Sequence, residues 1–182
     1  MATPITLITG NDSQAQEYTD LLGIKVTAAR AELTEVQSLD VTVVAKRKAT
    51  DAFAQLRVPV LVDGTGLAIE AWNGLPGALI TWFLATVGTP GILDMASGLA
   101  NRRATALTAL GYADAGGVRV FRGAVAGQLA TEARGSRGFG YDAIFVPDGG
   151  TRTLAEMTAA EKNAVSHRRR AVRALKDGLG LL

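Results

Sequence analysis

Hydrophobic and polar positions along the chain follow two periods, one typical of strands and one typical of helices. Short runs of apolar, often β-branched residues predict strands, because branched side chains pack well on a pleated surface. These runs are ITLIT, IKVTAA, VPVLVDG, ATALTALGYAD, GVRVFRGAVAGQLATEA and YDAIFVP, over residues 5–9, 24–29, 58–64, 104–114, 117–133 and 141–147. The two longest runs meet at Gly116-Gly117, which predicts an antiparallel hairpin.

Helical segments with recognisable end signals separate these strands. Asn11, Asp12 and Ser13 are candidate N-caps for a helix that runs to about Leu22 and is closed by Gly23. Further helices are predicted over residues 41–56 after the cap Asp40, over 78–87 after the turn NGLPG, and from residue 148 onward. The alternation predicts an α/β fold with a mixed sheet, in a single domain over residues 1–182.

Composition narrows the classes of function. With 48% hydrophobic and 20% charged residues, the 182-residue chain is expected to be globular. Its 19 basic and 17 acidic residues give a net charge of only +2, which argues against a general nucleic-acid binder. The chain has no cysteine, a signal peptide is not recognised, and no apolar run approaches the ~20 residues of a membrane span. We therefore expect a cytoplasmic protein without nucleic-acid or membrane partners.

The segment LITGNDSQ places a glycine between a buried strand and a capped helix. Thr9, Gly10 and Asn11 lie where free backbone N–H groups and the helix dipole favour a phosphate. The spacing is neither that of a Walker A loop nor that of a dinucleotide fingerprint. An ordinary strand-to-helix turn is the plainer interpretation of the segment.

Two carboxylates are candidate metal ligands or catalytic groups. Asp63, in VLVDGTG, ends a predicted buried strand, where open α/β sheets bind ligands. There it can hold Mg²⁺ or activate water, and a turn aspartate before glycine explains it equally well. Glu35, in the loop LTEVQS, is a second candidate ligand; by itself it is also typical of a solvated glutamate.

The segment GSRGFGYDAIF combines glycines with aromatic and acidic side chains. Glycines let the backbone approach a flat ligand, Phe139 offers a ring for stacking, and Asp142 can accept from ring N–H donors. Gly140 and Tyr141 lie between them. A hairpin loop with an aromatic plug remains the alternative.

The segment EKNAVSHRRRAV holds the only histidine of the chain, next to several cations. TAAE, over residues 158–161, is a capping box that begins one helix, and Ser166 is a candidate cap of a second. Lys162, His167 and Arg168 then lie near this cap, whereas the later arginines fit a solvated helix face. A small, planar, anionic ligand accounts for all these segments together.

Several of these segments resemble one family in order and spacing. TGN, VLVDGTGL, NGLPGALITWFL and GFGYDAIFVPDGGTRTLAEMTAAEKNAVSHRRRA are similar to motifs of the Ham1 or inosine triphosphate pyrophosphatase family. The resemblance implies an elongated fold with a central mixed, largely antiparallel sheet flanked by helices, and a homodimer. It also implies Mg²⁺-dependent hydrolysis of purine nucleoside triphosphates with deaminated bases (ITP, dITP, XTP) to monophosphate and pyrophosphate.

The resemblance assigns roles by position. Glu35 corresponds to a metal-binding glutamate, and Asp63 lies next to the family's catalytic aspartate. The substrate-binding positions that match are Thr9, Gly10, Asn11, Lys48, Thr65, Phe139, Gly140, Tyr141, Asp142, Lys162, His167 and Arg168. His167 and Arg168, with nearby backbone N–H groups, are expected to meet the 6-keto oxygen of hypoxanthine and to reject the amino group of adenine.

Three positions depart from the family pattern. Gln14 replaces a lysine, Gly64 replaces the aspartate that binds metal and accepts a proton, and Thr81 stands where some members carry another lysine. All three remove charge from the phosphate and metal half. Asp63 would take over the missing role only if its strand shifts or bulges. A nucleotide-binding relative with weak catalysis, a sensor, or an enzyme for substrates with fewer phosphates is therefore the alternative.

Overall fold

A seven-stranded mixed sheet with helices on both faces organises the computed structural model, which describes residues 5–181. The strands are β1 Thr6–Ile8, β2 Thr27–Ala29, β3 Val60–Ile69, β4 Pro76–Gly77, β5 Arg103–Asp114, β6 Gly117–Leu129 and β7 Phe145–Pro147. The helices are α1 Asp12–Leu22, α2 Val41–Leu56, α3 Ile80–Thr86, α4 Gly88–Met95, α5 Ala159–Val165 and α6 His167–Leu179. Short 3₁₀ turns lie at Glu70–Trp72, Asp142–Ile144 and Leu154–Glu156.

The strand order is β2-β1-β3-β5-β6-β7, and β4 pairs with β3. Only the β1–β2 and β1–β3 pairs are parallel; the other pairs are antiparallel. The expected α/β fold with a mixed, largely antiparallel sheet is thus confirmed. The β3–β5 ladder runs without interruption from Val60 to Ile69, so β3 contains no bulge.

Successive residues of β3 face opposite sides of the sheet, because side chains alternate along a strand. Leu61 packs with Tyr18 of α1 and Leu175 of α6 on one side. Val62 packs with Val44 and other α2 residues on the other side. A third cluster surrounds Phe145 near β7, α3 and α4. This alternation decides the direction of every side chain at the end of β3.

Helix α6 lies unusually close to β6. A Cβ atom on Gly123 would overlap the carbonyl oxygen of His167 and the backbone nitrogen of Ala171. Glycine at this position therefore lets the start of α6, with His167 and Arg168, rest directly on the sheet.

The helix end signals are confirmed. Asn11 caps α1 by accepting from the Gln14 N–H, and Gly23 closes the helix in the left-handed region. Asp40 caps α2 by accepting from the Thr42 N–H. The hairpin between β5 and β6 is also as predicted.

Several element bounds were predicted wrongly. The strand expected over residues 141–147 begins only at Phe145, because Asp142 turns its carboxylate back to accept from the Phe139 N–H. The strand of residues 24–29 is confined to 27–29, that of 117–133 ends at Leu129, and that of 58–64 continues to Ile69. Helix α4 was not predicted, and residues 148–153 are not helical. No helix within residues 5–181 is long and apolar enough to cross a membrane.

We predict that Gly123→Ala lowers the free energy of unfolding by about 1–3 kcal/mol, because the added methyl group forces the α6 backbone off β6. Urea denaturation measures the change. Gly98→Ala is the matched control, since a Cβ there meets nothing within 4 Å. Equal stabilities of the two variants would contradict the close contact as a source of stability.

Candidate active site

A cleft of about 610 Å³ opens at the carboxyl end of β1. Five segments line it: the β1–α1 turn, α1, the loop before α2, α2 itself and β3, together with Thr81 of α3. The lining residues are Ile8, Thr9, Gly10, Gln14, Arg30, Ala31, Leu33, Glu35, Lys48, Asp63, Gly64, Thr65 and Thr81. The structure thus brings six of the residues predicted from sequence, Thr9, Gly10, Glu35, Lys48, Asp63 and Thr65, to one cavity.

The β1–α1 turn is held by its own polar side chains. The Thr9 hydroxyl accepts from the Asn11 N–H at 3.0 Å and donates to the Gln14 side-chain oxygen. The Asn11 side chain is occupied as the α1 cap. Gln14 also donates through Nε2 to Asp63 Oδ2 at 2.8 Å, so its amide bonds to protein on both ends.

Asp63 and Gly64 point to opposite faces of the sheet. The Asp63 Oδ2 atom accepts from Gln14, from the Tyr18 hydroxyl at 2.6 Å and from Arg168 Nε at 3.0 Å, all on the α1 and α6 side. A Cβ on Gly64 would instead lie 3.2 Å from the Val41 carbonyl oxygen of α2. The regular ladder therefore leaves the direction of the missing family aspartate without a carboxylate.

Lys48 and Glu35 face each other across the α2 side of the cleft. The Lys48 Nζ atom lies 4.0 Å from Glu35 Oε1 and donates to the backbone carbonyl of Asp63 at 3.3 Å. The Glu35 side chain is 39% exposed, which leaves it open to solvent and ligands.

The cleft offers few side-chain ligands for a metal ion, so water and the substrate would supply most of its coordination. Within residues 5–181 no group of three acidic, histidine or cysteine side chains could hold a metal. Mg²⁺ commonly binds through one or two carboxylates together with phosphate oxygens and water. Asp63 Oδ1 is buried without a hydrogen-bond partner, and Glu35 lines the same cleft. Glu35 fits as a ligand of such an ion. Because β3 has no bulge, Asp63 faces α1 and α6 with its free oxygen buried, and it would have to turn toward the cleft to contribute.

Beside the cleft, the junction of α5 and α6 buries two cations. Thr158 and Glu161 form a capping box that begins α5, and Ser166 caps α6 by accepting from the Arg169 N–H. The two helices are therefore separate, as predicted. Lys162, near the end of α5, donates to Asp142 Oδ2 at 2.7 Å and lies 3.3 Å from Glu17.

Arg168 joins the two halves of the site. Besides its bond to Asp63, its Nη1 atom lies 3.5 Å from Glu17 Oε1. The ring of Phe139 covers both cations, with Lys162 Nζ and Arg168 Cζ each 4.6 Å from its centroid. The cluster of Glu17, Asp63, Asp142, Lys162 and Arg168 is buried, and we call it the charge cluster.

His167 lies beneath this cluster with both ring nitrogens occupied. Nδ1 pairs with the Thr108 hydroxyl, and Nε2 lies 3.4 Å from the Tyr141 hydroxyl, which itself donates to the Gly66 carbonyl. Burial, assisted by the charges of Arg168 and Lys162, lowers the pKa of His167 well below 6.5. The imidazole is therefore neutral near pH 7.

Tyr18 is equally buried, and its pKa is shifted upward, opposite to that of His167. Burial, followed by the neighbouring charge of Asp63, raises the pKa of Tyr18 well above 10. Its phenol stays protonated and acts as a fixed donor to Asp63.

Sequence reasoning missed four residues of the site. Glu17, Tyr18 and Thr108 bond to residues that were identified, and Arg30 lines the cleft. The available signal was periodicity, since residues 14, 17 and 18 share one face of α1. The sequence pattern did not indicate Thr108, which lies in the middle of an apolar strand. Gly140, by contrast, is exposed and contributes to the turn after Phe139.

The model of the Ham1 family matches residues 5–178. The dITP/XTP pyrophosphatase of Hyperthermus butylicus is 40% identical over 177 residues, covering 96% of this chain and 93% of the relative. Inosine triphosphate pyrophosphatase 2 of Trypanosoma cruzi is 38% identical over 176 residues, covering 94% and 90%.

Solved structures agree with these sequence matches. A nucleoside-triphosphatase, or dITP/XTP pyrophosphatase, from Mycobacterium abscessus superposes with a TM-score of 0.74 at 32% identity, covering 94% of this chain and 98% of that one. A HAM1 protein from Coxiella burnetii gives a TM-score of 0.84 at 28% identity and covers 99% and 100%. The matched segment includes both the cleft and the charge cluster, and the chain belongs to the Ham1 family.

Proposed function

We propose that this protein hydrolyses purine nucleoside triphosphates with deaminated bases, such as ITP, dITP and XTP, to the monophosphate and pyrophosphate. The observation that carries the proposal is the charge cluster, in which Lys162 and Arg168 lie under the ring of Phe139 and Lys162 bonds to Asp142. Beside it lies a cleft lined by the β1–α1 turn, whose backbone suits a phosphate. The names of the relatives, dITP/XTP pyrophosphatase and inosine triphosphate pyrophosphatase, support the same reaction.

The base would be selected at the start of α6. The first backbone N–H groups of a helix have no acceptor within the helix, so those of His167 and Arg168 are available to a keto oxygen. Adenine presents an amino group there, and two donors left facing each other cost about 1–3 kcal/mol. The buried ring of His167 would then position this turn, and Phe139 would stack on the base.

The phosphates would lie in the cleft. Thr9, Gly10 and Asn11 form a turn at the start of α1, whose N-terminal dipole favours an anion. Lys48 and Thr65 line the same cavity and offer a cation and a hydroxyl.

Glu35 and Asp63 would hold Mg²⁺, which would supply charge neutralisation at the reacting phosphates. Glu35 is the carboxylate most open to the cleft, and we propose that it accepts the proton of the attacking water. Asp63 would have to turn toward the cleft to contribute, since Oδ2 accepts three hydrogen bonds and Oδ1 is buried. Catalysis with so few carboxylates is expected to be slow.

A nucleotide-binding role with weak or altered catalysis is the second candidate. The observation in its favour is that Gly64, on the α2 face, supplies no carboxylate, while Gln14 is committed to Thr9 and Asp63. Neither Gly64 nor Gln14 touches Phe139, Lys162 or the start of α6, where the base is proposed to bind. The protein would then bind the nucleotide but hydrolyse it slowly or not at all.

We also propose a homodimer. Leu39 and Trp82 line one apolar groove, and their side chains are 48% and 58% exposed. Burial of large apolar side chains against a second copy would remove this surface from water.

Residence in the cytoplasm and a single domain over residues 1–182 remain predictions from the sequence.

Product analysis with Mg²⁺ tests the reaction. We expect ITP and XTP to give monophosphate and pyrophosphate, with kcat/KM for ATP at least about tenfold lower, because one mismatched buried hydrogen bond suffices for that ratio. Phe139→Ala should raise KM for ITP, and Phe139→Tyr, which keeps the ring, is its control. Release of orthophosphate, or equal rates with ATP, would reject the proposed reaction.

The missing carboxylate gives a second prediction. Gly64→Asp should raise the rate of ITP hydrolysis, and Gln14→Lys should add to it, because both restore charge near the phosphates. The new Cβ requires a shift of a few tenths of an ångström at Val41, so thermal unfolding is measured alongside. Asp63→Asn in the unmodified protein should lower the rate; because it also removes the partner of the buried Arg168, its thermal unfolding is compared as well. Unchanged rates in all three variants would favour the binding role.

His167 gives a prediction about pH. Its lowered pKa means that the unfolded chain takes up a proton below about pH 6.5 before the folded chain does, so stability is lost as pH falls. We expect the single imidazole to titrate, by NMR, below the usual range of an exposed histidine. Stability should fall by up to about 1.4 kcal/mol per pH unit from this group, and His167→Asn should lack that contribution. A titration midpoint near 6.5 would show an accessible ring instead.

A further inference from the structure

We propose that Arg30 binds the phosphates of the nucleotide and supplies the positive charge that Gln14 does not. The proposal rests on the proposed function, since it concerns the same cleft. Arg30 follows β2 directly and lies 20 positions after Gly10 of the β1–α1 turn. No sequence motif pointed to it.

Arg30 lies beside the β1–α1 turn. Arg30 lines the cleft together with Thr9, Gly10 and Lys48. Its Nε atom lies 3.8 Å from the place where a Cβ on Gly10 would be. The guanidinium group is therefore next to the glycine of the turn at the start of α1, where a helix dipole already favours an anion.

The donors of Arg30 are available to a ligand. Within residues 5–181, Arg30 has no carboxylate within 4.0 Å and makes no side-chain hydrogen bond. Arg168 and Lys162 are buried against carboxylates of the charge cluster. Lys48 faces Glu35. Arg30 is thus the cation of the described cleft whose donors remain free.

Arg30 also decides the net charge of the cleft. Four charged residues line it, the carboxylates of Glu35 and Asp63 and the cations of Lys48 and Arg30. Asp63 is already paired with Arg168, so without Arg30 the charges of Lys48 and Glu35 would cancel and leave no net positive charge for a triphosphate. Gln14 cannot compensate, because its amide is neutral and bonds to Thr9 and Asp63. An arginine can donate two parallel hydrogen bonds to phosphate oxygens, which a lysine cannot.

The test measures phosphate binding separately from base binding. Calorimetry with tripolyphosphate, in Mg²⁺ and again in EDTA, reports the phosphate half; NMR shifts of the His167 ring on titration with inosine report the base half. We expect Arg30→Gln to weaken tripolyphosphate binding at least about tenfold, the loss of one charge-assisted contact, with inosine binding unchanged. Arg30→Lys should be intermediate, because it keeps the charge and loses the paired donors.

Arg122→Gln is the matched control, since Arg122 is an exposed arginine on β6 outside the cleft. It should leave tripolyphosphate binding unchanged. The proposal is overturned if Arg30→Gln binds tripolyphosphate as tightly as the unmodified protein, or if Arg122→Gln weakens it equally. Failure of the proposed reaction is distinct: an Arg30-dependent affinity in a protein that releases no pyrophosphate from ITP supports this phosphate site and rejects the hydrolysis.

Discussion

The buried ion pair between Arg168 and Asp63 is the interaction on which the site depends. Each side chain is only 4% exposed, and their contact joins the start of α6 to the middle of the sheet. Removing two charges from water is costly unless further hydrogen bonds compensate. Gln14 and Tyr18 provide them by donating to the same Asp63 oxygen. The pair therefore holds α1, β3 and α6 in one arrangement.

The charge cluster gives the site its rigidity before any nucleotide arrives. Glu17 approaches both Lys162 and Arg168, and Asp142 bonds to Lys162 and to the Phe139 N–H. Phe139 is thereby held over the two cations instead of moving freely. Preorganised donors of this kind need little rearrangement on binding, which favours discrimination between similar bases.

Local signals in the sequence were sufficient for the helix ends and for the hairpin. Asn11, Asp40 and Ser166 are caps because their side chains bond within three residues, a property visible in the sequence itself. The partner of Asp63 was not predictable in this way, since Arg168 is 105 residues away. The contact between Asp142 and Lys162 was likewise not predictable, since it depends on the position of α5. Residue types were thus foreseen, and contacts between distant elements were not.

The unbroken ladder of β3 makes the sheet a partition within the site. Odd-numbered positions such as Asp63 serve the α1 and α6 face, and even-numbered positions such as Gly64 serve the α2 face. A substitution cannot move a β3 side chain from one face of the sheet to the other. Only an inserted or deleted residue could exchange the two faces, and it would also move the buried hydrophobic side chains of β3 to the opposite face. Evolutionary repair of the α2 face is therefore restricted to Gly64 itself or to the neighbouring loop and helix, which can mutate without disturbing the sheet.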